Sequence, residues 1–192
     1  MKDVQGEYIE YFKTGEILFR CWYLDSKRNG ESTYYFRTGE INSICNYIDG
    51  ERSGEFIAYY KNGLVKYRCW YLDGKRNGEH ISYYESGEIE STINYVDGKR
   101  KDEYISYFIS GEIEFKCWYL DGKRSGDCIY YFRSGVIESK CNYLDGKLNG
   151  EYIFYYISVE ISGKRYYIND IKVTESQWIS YNRNLKLELL GL

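Results

Sequence analysis

The sequence predicts an all-β repeat fold. The expected form is an elongated, single-layer antiparallel meander of stacked β-hairpins over residues 1–173, followed by a short capping α-helix over 174–192. Three observations predict it. First, Gly6, Gly30, Gly54, Gly78, Gly126 and Gly150 recur at a step of about 24 residues, the range of stacked repeat arrays. Asp102 fills the missing slot, so repeats start near 6, 30, 54, 78, 102, 126 and 150. Second, each repeat holds two alternating stretches separated by turn residues, and the chain has 0 prolines to interrupt pairing. Third, the pattern decays after Val159 and gives way to helical spacing.

The elements follow from the first copy, GEYIEYFKTGEILFRCWYLDSKRN, Gly6 to Asn29. Glu7–Phe12 reads as a strand, Lys13-Thr14-Gly15 as a hairpin turn with glycine in the left-handed position, and Glu16–Leu24 as the second strand. Asp25–Asn29 returns the chain; later copies read DG, which predicts an Asx-type turn. If Phe12 faces Glu16, Tyr11 pairs with Ile17 and Ile9 with Phe19. Ile9, Tyr11, Ile17, Phe19, Cys21 and Tyr23 then share an apolar face, and Tyr8, Glu10, Phe12, Leu18, Arg20, Trp22 and Leu24 share the other. About six and a half repeats at ~9.6 Å each predict a length on the order of 60 Å. At the C-terminus, Glu160–Ile168 is a degenerate second strand and Ile171–Val173 a short one. Thr174 and Gln177 form a capping box, and Trp178, Tyr181, Leu185, Leu189 and Leu192 follow at helical spacing. This predicts an amphipathic helix over the last hairpin, covering an edge that would otherwise template aggregation.

Composition narrows the function. With 26 Lys+Arg against 29 Asp+Glu and a net charge of −3, a nucleic-acid partner held by phosphate neutralisation is not expected. No apolar run approaches the ~18 residues of a membrane span, and MKDVQGEYIEYF has no signal-peptide h-region. Cys21, Cys45, Cys69, Cys117 and Cys141 share one repeat position, so neighbouring copies lie about 9–10 Å apart, beyond the roughly 7 Å a disulfide spans. Cys128 sits on another position and is expected on the other face. All six cysteines are therefore expected as free thiols in a reducing, cytoplasmic compartment.

A longer period overlies the short one. CWYLD at Cys21–Asp25, Cys69–Asp73 and Cys117–Asp121 alternates with CNYID, INYVD and CNYLD ending at Asp49, Asp97 and Asp145, a true period of about 48 residues. Trp22, Trp70 and Trp118 are then expected on one face, roughly 19 Å apart, with Phe12, Phe36, Tyr60 and Tyr84. Exposed aromatics favour protein binding. The other reading is a relic of a duplicated two-repeat ancestor, each Trp packing over neighbours such as Phe12 and Leu24. A second candidate is the edge carrying Lys27, Arg28, Lys75, Arg76, Lys99, Arg100, Lys123 and Arg124. It reads either as a site for a phospholipid or other anionic ligand, or as a solvated edge paired with Asp25, Asp73, Asp97 and Asp121.

Chemistry is poorly served. His80 is the single histidine and is expected to be an ordinary surface residue. Glu16, Glu40, Glu88 and Glu112 recur at one turn rather than facing across a cleft. No phosphate loop, nucleophile elbow or metal motif is present, so no enzyme activity and no cofactor or metal is expected.

The segment YYKNGLVKYRCWYLDGKRNGE, Tyr59 to Glu79, resembles MORN repeats, and specifically the MORN-variant type. The resemblance covers Gly6 to about Tyr167. It implies an elongated hairpin stack with a non-enzymatic role. Proteins of this type include YwqK-like antitoxin components of bacteria and repeat proteins of large DNA viruses; more distant MORN proteins act as scaffolds at membranes. Where the commoner repeat has Gly-x-Gly, this one has Gly-Glu. The expected function is a non-catalytic scaffold holding another protein by its aromatic face. The alternatives are a membrane adaptor using the basic edge and antitoxin-like neutralisation of a partner. Self-association through an open N-terminal edge strand is a further expectation.

Overall fold

The computed structural model describes residues 5–190. Among them are seventeen strands and one helix, and the chain divides into two compact units, Met1–Arg100 and Lys101–Leu192.

The first unit runs β1 (Gly6–Tyr11), β2 (Ile17–Leu24), β3 (Lys27–Arg28), β4 (Gly30–Tyr35), β5 (Ile41–Ile48), β6 (Glu51–Tyr59), β7 (Val65–Leu72), β8 (Lys75–Tyr83) and β9 (Ile89–Val96). These strands pair antiparallel with their sequence neighbours in one layer, β2 taking both β3 and β4. The second unit repeats the plan with β10 (Lys99–Tyr107, which begins two residues before the boundary), β11 (Ile113–Leu120), β12 (Lys123–Tyr131), β13 (Ile137–Leu144), β14 (Lys147–Leu148), β15 (Gly150–Tyr155), β16 (Ile161–Ile168) and β17 (Ile171–Val173). The helix α1 spans Glu175–Leu189. The fold is thus an antiparallel hairpin meander with one C-terminal helix.

The two kinds of turn differ in chemistry. In the hairpin turn, Phe12 N–H donates to Glu16 O at 2.8 Å and Gly15 N–H to Phe12 O at 2.9 Å, with Gly15 at φ +100°. The return turn has two central residues, Asp49 at φ +51° and Gly50 at φ +89°, between Ile48 and its partner Glu51. Both φ values are positive, so this is the primed hairpin turn whose twist matches its strands, not the expected Asx-type turn.

One register feature corrects the face assignment. Tyr11 pairs with Ile17 as expected, but the next pair is Glu10 with Phe19, leaving Leu18 as an extra residue. The bulge recurs in the later hairpins. A one-residue slip exchanges faces. Tyr8 and Glu10 therefore join Phe19 and Cys21, whereas Ile9 stands opposite Arg20 on the other side.

The buried face is built from repeating layers. Cys45, Tyr47, Phe56, Ala58 and Cys69 form a core packed by Tyr34, Tyr67 and Tyr71. Small thiols lie beneath aromatic rings, and burial pushes the Cys21, Cys45 and Cys69 thiols up from their ordinary pKa. Arginines close this layer. Arg52 donates from Nε to Tyr47 Oη and from Nη1 to Tyr71 Oη, both at 3.4 Å; Arg76 repeats this between Tyr71 and Tyr95. In the second unit Arg124 bridges Tyr119 and Tyr143 at 3.3 Å. Each guanidinium also lies over an aromatic ring, Arg52 at 5.2 Å from Phe56.

Two further expectations are overturned here. His80 is not a surface residue. It is half-buried, stacked on Tyr67 at 5.3 Å and directly opposite Cys69 and Ile93. It occupies the repeat position of Phe56. The six cysteines are not all free either: Cys128 is fully buried on the same face as Cys117 and is joined to it by a disulfide. Spacing between equivalent cysteines, two strands apart, did not bear on this pair. Cys128 belongs to the intervening strand and faces Cys117 on one side and Cys141 on the other. The Cys117–Cys128 Cα distance is 4.2 Å. Cys21, Cys45, Cys69 and Cys141 are free and buried.

The helix starts as its sequence indicates. Gln177 N–H donates to Thr174 Oγ1 at 3.3 Å, and Thr174 N–H to Gln177 Oε1 at 2.9 Å. Its first turn meets β16, where Glu175 and Trp178 reach Tyr166, and Tyr181 is half-buried, while Leu185 and Leu189 are exposed; Leu192 lies outside the described residues.

Candidate functional site

In each unit the face opposite the core carries tryptophan, Trp22 and Trp70 in the first and Trp118 in the second. Strand alternation places Arg20, Trp22 and Leu24 in a line along β2, Arg68, Trp70 and Leu72 along β7, and Lys116, Trp118 and Leu120 along β11. Trp22, Trp70 and Trp118 are 53%, 49% and 51% exposed, and each neighbouring leucine is exposed too. Across the ladder each Trp has an acidic partner: Glu7, Glu55 and Glu103 respectively. Glu7 also reaches Arg20 at 3.9 Å. The local arrangement is therefore an aromatic–leucine surface bordered by a cation and a carboxylate.

Glycine lies beside Trp70 with room to spare. A Cβ added to Gly78, at φ +95°, would lie 3.7 Å from Trp70 Cβ and 3.9 Å from its Cγ. In the alternate repeats Asn46, Asn94 and Asn142 replace Trp, while Ile48, Val96 and Leu144 stay exposed beside them. Asn142 ties back to Asp127 at 2.9 Å.

The other aromatics expected on this face are elsewhere. Phe12, Phe36, Tyr60 and Tyr84 sit half-buried at the hairpin tips, where their N–H groups close the turns. Trp22 pairs near the opposite end of β1, with Glu7, so about five residues and roughly 16 Å separate the two sets. Tyr60 Oη donates to Tyr83 O at 2.8 Å, a bond between adjacent hairpins. The duplication reading, with Trp packed over Phe12, loses that contact. Leu24, Leu72 and Leu120 are the better neighbours, and the same alternation that marks the Trp positions marks them.

The basic edge also splits. Lys27, Lys75, Lys99 and Lys123 are exposed at the return turns. Arg28, Arg76 and Arg124 instead fold onto the buried face and bond tyrosine hydroxyls, and Arg100 Nε donates to Tyr95 Oη at 3.3 Å. Glu16, Glu40, Glu88 and Glu112 are fully exposed, each held below the usual carboxylate range chiefly by a hydroxyl two residues earlier, from Thr14, Thr38, Ser86 and Ser110. Among the described residues no group of three or more His, Cys, Asp or Glu is arranged to hold a metal ion. No described helix is long and apolar enough to cross a membrane.

Comparison with known proteins agrees with the repeat reading. The family model for the MORN repeat variant matches residues 28–49, 76–97 and 124–145. These segments recur at an interval of about 48 residues, and each contains the Asn that alternates with Trp. No curated protein matches. Two solved structures are similar only at low identity. One is the GtfA/B complex bound to UDP and GlcNAc: 17% identity over 79% of this chain, with a TM-score of 0.20. The chain spans 25% of that structure's length. The other is a porin-like protein from Bacteroides uniformis: 10% identity, TM-score 0.24, covering 86% of this chain and 85% of that one. MORN repeats are a non-catalytic repeat type and generally bind proteins or membranes. Three repeats of this chain, at residues 28–49, 76–97 and 124–145, match the MORN repeat variant.

Proposed function

We propose that the chain is a non-catalytic module that binds another protein through the surfaces around Trp22 and Trp70 in the first unit and around Trp118 in the second. One observation carries this reading. The three indoles are half exposed beside exposed leucines, whereas the opposite face uses its own arginines, tyrosines and cysteines internally. Trp and Arg are the residue types that anchor protein interfaces, and truncating a central anchor costs about 2 kcal/mol or more of binding.

The test is cross-linking capture from the native source, comparing the wild-type chain with Trp22→Ala, Trp70→Ala and Trp118→Ala combined. Each indole is half exposed, so circular dichroism checks that the triple variant is folded, and the three single variants are captured beside it. The expected result is loss of a specific cross-linked partner. Full retention overturns the reading. An anionic ligand along the lysine–arginine edge is less supported, because the guanidinium groups there are already engaged with tyrosines. Replacing Lys27, Lys75, Lys99 and Lys123 by Ala is expected to leave capture unchanged.

A further inference from the structure

The last repeat shows what the tryptophan position accepts. Tyr166 pairs with Glu151 as Trp22 pairs with Glu7, so it holds the same slot in β16. Unlike the tryptophans, it is only 9% exposed. The first turn of α1 covers it: the Trp178 ring lies 5.3 Å from the Tyr166 ring, and Tyr166 Oη donates to Glu175 Oε1 at 2.7 Å. The bond to Glu175 is the main cause of the rise of the Tyr166 pKa to about 12. A carboxylate and an aromatic three residues apart at a helix start thus cap this slot.

We infer that Trp22, Trp70 and Trp118 each accept the start of an amphipathic helix of a partner protein, carrying an acidic residue and, three positions on, an aromatic. This rests on the protein-binding reading above and names the partner's chemistry. The indole offers the same two features as Tyr166: a ring face to cover and one N–H donor for a carboxylate in place of the phenol O–H. Spacing of three residues puts both groups on one helix face. Arg20, Arg68 and Lys116, two residues along the strand, attract the acidic side chain of such a helix. The exposed leucine on the other side offers apolar surface for the next turn.

The probe is a peptide with the sequence of residues 174–190, held helical by a side-chain lactam between positions 180 and 184. It is titrated into the full chain with 15N-labelled indoles. The expected result is movement of the Trp22, Trp70 and Trp118 signals while Trp178 of the chain stays fixed. Changing the peptide's Trp178→Ala should weaken binding at least tenfold, and its Glu175→Gln several-fold. Unmoved signals for all three indoles, or equal binding by the Trp178→Ala peptide, overturn the inference. If the peptide fails while the triple Trp variant still loses its captured partner, the docking face stands and only the helical partner falls. A concentration-dependent dimer of the full chain that the triple variant abolishes would place a second copy on this face, overturning the foreign partner.

Discussion

Protonating His80 should selectively weaken the first unit. Its ring stacks on Tyr67 and lies 6.0 Å from Tyr95, with Nε2 3.2 Å from Ser82 Oγ and Nδ1 buried without a partner. Burial, then the charges of Arg76 and Arg100, lower its pKa to about 4. The unfolded chain takes up this proton near pH 6.5, so between the two values the unfolded state binds more protons and stability falls as pH falls. From about pH 7.5 to about pH 5 the loss comes to on the order of 2 kcal/mol. His80→Phe places at this position the residue that Phe56 supplies one repeat earlier, and it has no proton to gain. Urea unfolding followed by circular dichroism at both pH values is the assay. The wild type should lose stability over this interval while His80→Phe does not. Exposed carboxylates titrate in both proteins and cancel in the comparison. Equal pH slopes for the two proteins would refute a buried, neutral His80.

Three other perturbations address the frame. Val159 holds the hairpin-turn slot of Gly15 at φ +74°, with its N–H bonded to Tyr156 O at 2.9 Å, and a branched side chain there costs about 1–2 kcal/mol. Val159→Gly should raise stability by about 1 kcal/mol in urea unfolding; a loss would mean that the side chain packs. Arg52→Lys keeps the charge but loses the fork between Tyr47 and Tyr71 and the stacking on Phe56, and should cost about 1–2 kcal/mol. An unchanged midpoint would dismiss the ladder as a stabilising feature. Cys128→Ala opens a link between residues 11 apart in sequence and should cost about 3 kcal/mol, while intact-mass thiol labelling of the denatured wild type should find four free thiols. Six labelled thiols would contradict the pairing.

The hairpins were legible because the turns carry their own chemistry. Gly15, Gly50 and their repeats mark where φ must be positive, and the capping box at Thr174 marks the helix start. The faces were less legible. The extra residue of each bulge, Leu18 in the first copy and Asn42, Lys66, Glu90, Glu114, Glu138 and Ser162 in the later ones, is never a glycine or proline that would signal it, yet it reverses the first strand. Cys128 and His80 were misplaced for the same reason. Their slot holds Tyr8, Ser32, Phe56, His80, Tyr104, Cys128 and Tyr152, and such variety reads as a surface position. It is a core position whose occupants fit the residues opposite, a relation set by register between strands rather than by spacing along one. The arginines of the basic edge turned inward because tyrosine rings and hydroxyls lay within reach, a contact no local motif announces.

One face of the sheet bonds its own arginines to its own tyrosines, and the proposal places a partner on the other. Hydroxyl-radical footprinting of the full chain, alone and with its cross-linkable partner, tests this most directly. Trp22, Trp70 and Trp118 should oxidise readily in the free chain and be protected in the complex, with Trp178 slow in both. Protection of the three in the free chain, or their full oxidation in the complex, would contradict it.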